Sequence, residues 1–60
     1  MKNWSELKEF EVVYEEFDYF FTKQIVRRYF YLKAFDVAEA KNLAAYALGN
    51  VDIISVEEYV

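Results

Sequence analysis

The densest reactive groups in this chain are carboxylates: Glu15, Glu16 and Asp18 in one run, Glu57 and Glu58 in another. A carboxylate pair can move protons or hold a hard divalent cation. The same residues also make a solvated acidic strand edge or turn, which discourages edge-to-edge aggregation, and that is the plainer expectation. Stronger chemistry has no residues to use. With no histidine and no cysteine, Ser5 and Ser55 lack a histidine base, and the usual zinc ligands are missing. A single glycine cannot build a phosphate-cradling loop. The expectation is a protein that is not an enzyme and uses no cofactor and no metal.

Arg27, Arg28 and Lys23 stand beside Tyr29, Phe30 and Tyr31, a mixture that can neutralise and stack single-stranded nucleic acid. A net charge of −4 opposes that use. Charge is arranged in blocks. Residues 1–20 hold six acids and two lysines, 21–35 hold four cations and no acid, and 36–60 hold five acids and Lys41. Opposite charges on adjacent strands contribute a few tenths of a kcal/mol to ~1 kcal/mol per pair, which favours a hairpin between the first two blocks. On a strand, Glu9, Glu11 and Glu15 would form an acidic stripe with neighbouring same-face positions about 6.6 Å apart, roughly half the charge density of one DNA strand. Such a stripe steers association but needs apolar anchors to bind tightly. The candidate partner-binding surface is therefore the sheet face turned away from the helix. It comprises Val13, Tyr29, Tyr31 and Ile53, rimmed by Glu11, Glu15, Arg27 and Lys33. Tyr19, Phe20 and Phe21 form a second candidate, since three consecutive aromatics at a turn cannot all point inward.

These residues must be positioned by a few short elements. Residues 35–50 read as a helix: Asp36 is an N-cap, Glu39 reaches back to it, and Gly49 supplies a C-cap with positive φ. Ala40, Leu43, Ala44, Ala47 and Leu48 share one face, and three alanines let it lie close to a flat partner. In 7–17, Phe10, Val12 and Tyr14 alternate with Glu9, Glu11, Val13 and Glu15, as in a strand. The parity breaks at Glu16–Phe17, which suggests a bulge or an approaching turn. A second strand at 25–35 puts Val26, Phe30, Leu32 and Ala34 on one face, and a third at 51–58 offers Ile54 and Val56 to the core with Ile53 and Ser55 opposite. A competing pattern makes 4–21 an amphipathic helix with an Asn3–Glu6 capping box, and a helical turn at Trp4–Lys8 would reconcile the two. The fold class expected is α+β, a β-β-α-β chain with a three-stranded antiparallel sheet and one helix packed on one face. Topology favours the order strand 2, strand 1, strand 3; charge favours strand 2 in the middle.

Sixty residues make one domain, 1–60, of a size that buries only about 60% of its unfolded surface. Without disulfides or a metal, a partner chain is the remaining source of stability. Of 34 hydrophobic residues, six are alanine and one is Met1, leaving 27 large apolar side chains. One sheet under one helix offers about a dozen inward positions, so the surplus points to a homodimer or a partner interface. No apolar run reaches the ~18 residues of a membrane helix, and the first eleven residues lack the apolar core of a signal peptide. A cytoplasmic protein with no membrane partner is expected.

The stretch YFYLKAFDVAEAKNLAAYALGNVDIISVEEYV resembles the strand, Ala-Glu-Ala-rich helix and closing Val/Ile strand of small phage proteins. Among these are a phage inhibitor of bacterial RNA polymerase, some anti-CRISPR proteins and a dimeric inhibitor of uracil-DNA glycosylase. The resemblance covers residues 7–60 at the level of pattern, without a functional motif that can be placed residue by residue. It implies a host-directed inhibitor that works by contact, its partner a host protein or nucleoprotein complex; direct binding of nucleic acid is not expected from the net charge of −4. The alternative is an assembly protein whose apolar sheet face serves self-association alone.

Overall fold

The computed structural model describes residues 6–59. Four elements follow one another: β1 (Lys8–Phe17), β2 (Ile25–Ala34), α1 (Val37–Leu48) and β3 (Asp52–Glu58). They form the expected α+β arrangement, a three-stranded antiparallel sheet in the order β2-β1-β3 with one helix. Residues 8–17 are strand rather than helix. Alternation decides it, because Phe10, Val12 and Tyr14 are buried while Glu9 is exposed and Glu11, Val13 and Glu15 are half-buried. The expected helical turn at Trp4–Lys8 and the Asn3 cap fall largely outside the described residues, and Lys8 already opens β1.

The helix forms as its caps dictate. The Asp36 backbone is extended, and its Oδ1 accepts the Glu39 N–H at 2.8 Å. Glu39 Oε1 accepts the Phe35 N–H at 2.9 Å, one residue upstream of the usual capping box. Gly49 ends the helix at φ 77°, ψ −133°, with its N–H donating to the Ala45 carbonyl at 3.0 Å. That backbone region is open to glycine and strained for other residues. Twelve residues at about 1.5 Å each run roughly 18 Å, enough to return the chain along the sheet and set β3 on the free edge of β1.

Only Ala40 and Ala44 of the helix are buried; Leu43 and Ala47 are exposed and Leu48 is half-buried. A ridge of alanines four apart brings the backbone close but presents a narrow strip. The core is correspondingly small: Phe10, Val12, Tyr14, Ala34, Ala40 and Ala44, with Leu32 and Val56 packed against it. Twelve large hydrophobic side chains among the described residues remain exposed, so the apolar surplus lies on the surface.

Two details of register correct the sequence-based expectation. The β1–β2 ladder runs unbroken from Lys8↔Ala34 to Phe17↔Ile25, so there is no bulge at Glu16–Phe17. The irregularity lies across the other edge of β1, where Val13 pairs with Ser55 but Tyr14 pairs with Ile53, leaving Ile54 as the extra residue. Ile53 therefore shares the face of buried Tyr14 and leaves the candidate surface, while Ile54, expected inside, is half exposed.

Candidate functional site

Cross-strand partners point to the same side of a sheet, so the register lays out the face opposite the helix row by row. Glu9 lies opposite Lys33, Glu11 between Tyr31 and Glu57, Val13 between Tyr29 and Ser55, Glu15 between Arg27 and Asp52, and Phe17 opposite Ile25. Seven of the eight residues expected there are on this face: Glu11, Val13, Glu15, Arg27, Tyr29, Tyr31 and Lys33. Ile53 is the exception. Tyr29 is 58% exposed and Tyr31 48%, so the tyrosines form an open surface rather than a second core.

Local bonds fix how these groups are held. The Tyr31 hydroxyl donates to Glu11 Oε2 at 2.8 Å, and the Tyr31 ring meets Tyr59 edge to face at 5.2 Å between centroids. Glu11 beside it holds the Tyr31 phenol above its ordinary ionisation range, since losing the proton would lose the bond and set two anions together. Arg27 donates from Nη2 at 3.0 Å and from Nε at 3.3 Å to Glu15 Oε2. These bonds lock two acids toward β2. Toward β3 the same acids face like charges, because Glu11 stands opposite Glu57 and Glu15 opposite Asp52. Such pairs oppose folding by a few tenths of a kcal/mol to ~1 kcal/mol each. Five acids (Glu9, Glu11, Glu15, Asp52, Glu57) and two cations (Arg27, Lys33) give this face −3 of the chain's −4.

The two acidic runs singled out in the sequence are split between surroundings. Glu15 faces the tyrosines, while Glu16 faces the opposite side and pairs with Arg28 at 2.7 Å. Asp18 turns into the β1–β2 loop: its Oδ1 accepts the N–H of Phe20 and of Phe21 at 3.0 Å each, and its Oδ2 accepts the Thr22 N–H and hydroxyl at 3.4 Å. The Phe21 N–H foremost, against a desolvation that works the other way, draws the Asp18 pKa below its ordinary 3.8. Glu58 reaches Lys8 at 3.9 Å, and Glu57 lies on the other face. Among the described residues no three acids gather as a metal site.

Asp18 is the turn-forming residue that the sequence reading missed, having grouped it with its acidic neighbours. An Asp at the start of a turn is a signal in itself, because its carboxylate can accept the N–H groups of the residues that follow. The Asp18 N–H also donates to the Gln24 carbonyl at 2.9 Å, and Lys23 Nζ donates to the Tyr19 carbonyl. Lys23 itself sits at φ 58°, the position an Asn-Gly turn would have given to glycine. The loop so built holds Phe20 and Phe21 out at 86% and 88% exposure. No protein-family model matches this chain, and neither do the curated proteins or the solved structures compared with it.

Proposed function

We propose that this protein acts by contact, as a small acidic inhibitor of phage or mobile-element type that covers a basic surface of a host nucleic-acid enzyme or defence complex such as CRISPR-Cas. The observation that carries the reading is the open sheet face, where exposed Tyr29 and Tyr31 lie among acids that oppose one another across β1 and β3. A basic partner would relieve Glu11–Glu57 and Glu15–Asp52 repulsion while the tyrosines supply anchoring area, which is how charge and apolar contact divide the work in an interface. The host cytoplasm is where such a target would be met. No helix among the described residues is long and apolar enough to cross a membrane.

Affinity capture from bacterial lysate tests this. A stoichiometric nucleic-acid enzyme that dissociates as salt rises supports inhibition, and its loss on changing Tyr29 and Tyr31 together to serine assigns it to the sheet face. Recovery of the protein with nothing but itself supports instead the assembly reading, in which the sheet face serves self-association alone.

A further inference from the structure

We infer that two copies of this chain associate loop end to loop end about a two-fold axis, through Tyr19, Phe20 and Phe21 and the groove beside them. This surface is separate from the sheet face and does not depend on the reading given above. Three observations select a second copy as the occupant.

The first is self-complementarity. A groove of about 370 Å³ beside the loop is walled by the Phe17, Tyr19, Phe20 and Phe21 side chains and by the charged Glu16, Asp18 and Arg28. The projecting rings are themselves one wall of the groove, so the same patch offers both ring and recess, as a two-fold interface requires because each copy presents the same surface. The Phe17 and Tyr19 rings already meet edge to face at 4.6 Å, leaving Phe20 and Phe21 as the free projections.

The second is charge. Copies carrying −4 each repel, but the hairpin end is nearly neutral. Across 15–28, Glu15, Glu16 and Asp18 balance Lys23, Arg27 and Arg28, and Asp52, level with Glu15, leaves −1. The other −3 lies in the rest of a molecule 45 Å long, so joining loop ends keeps most like charge apart.

The third is the state of the backbone. Burying a loop tip normally strands its N–H groups, at a cost comparable to lost hydrogen bonds. Here Asp18 already accepts those of Phe20 and Phe21 at 3.0 Å and that of Thr22 at 3.4 Å, so covering the tip strands fewer of them. Three aromatics per copy, each worth 150–250 Å² when buried, give on the order of 1,000 Å² in total, the lower bound for a specific interface.

Sedimentation equilibrium on the full chain tests the inference. The wild type is expected at twice 7.2 kDa. Phe20→Ser with Phe21→Ser should halve that mass with the circular dichroism unchanged, and Tyr29→Ser with Tyr31→Ser should leave it at twice the monomer. A wild-type monomer overturns the inference, as it would if the loop instead served a pocket in another protein or a bilayer surface. An open-ended series of masses, or a dimer dissolved by the tyrosine pair, also overturns it. Should the phenylalanine variant not fold, Gln24→Cys decides: in a chain with no other cysteine it should oxidise to a crosslinked dimer much faster than Lys41→Cys on the helix. Equal rates refute the loop-end contact.

Discussion

At the residue scale, Asp18 shows how one side chain can replace a turn sequence. The β1–β2 loop has neither Asn-Gly nor Asp-Gly, and Lys23 holds a positive φ that costs a non-glycine residue roughly 1–2 kcal/mol. A buried carboxylate accepting three successive N–H groups makes up for it. Because folding lowers the Asp18 pKa, the ionised form is the one the loop favours. Its contribution is complete above the unfolded value near 3.8 and disappears as pH falls through the lower folded value. The Phe20 and Phe21 amide proton resonances should therefore shift together in acid, with a midpoint below 3.8, and stay fixed from pH 5 to 7. A midpoint above the ordinary carboxylate range would disprove this account of the loop. Glu15 and Glu16 have no such role; adjacent on a strand, they point to opposite faces and find separate arginines.

At the element scale, the helix depends on its ends more than on its packed face. Only two alanines are buried, so the caps carry an unusual share of what holds α1 in place. Asp36→Ala removes the acceptor of the Glu39 N–H and should destabilise the protein by about 1 kcal/mol, read as a lower urea midpoint with an unchanged slope. An effect within error would mean that the helix is held by packing after all. Much of this scale was legible in the sequence: the caps, the glycine stop and the alternation of β1 and β2 are local properties of their residues. The third strand was read half correctly. Val56 and Ser55 face as expected, but the extra residue at Ile54 reverses the strand below it. A one-residue bulge leaves no local signature in DIISV, since the adjacent Ile53 and Ile54 each suit either face of a strand.

At the scale of the whole molecule, the order β2-β1-β3 sets connection against charge. The hairpin and the return path of α1 place β1 in the middle, and two acid–acid pairs are the consequence. Glu57→Lys removes one of them. It should raise stability by a few tenths of a kcal/mol to ~1 kcal/mol, with a higher Tm, while weakening capture of a basic target. Raised Tm with undiminished capture would place the target elsewhere on the molecule. The same opposition bears on size. Among the described residues six hydrophobic side chains are buried, three of them alanine, and twelve large ones are exposed, little core for that surface.

From residue types and spacing alone came the fold class, the helix with its stops, the inward and outward faces of the first two strands, and an apolar surplus with nowhere to go. All are local or compositional quantities, because they depend on periods of two or 3.6 residues or on a count of side chains against inward positions. The tertiary structure decided the strand order, the bulge that takes Ile53 off the tyrosine face, and the burial of Asp18. Each depends on which residues distant in sequence, or on which side of a turn, come to lie within a hydrogen bond of one another. Glu57 and Glu11 are ordinary acids in the sequence; 46 positions apart, only the sheet makes them opponents.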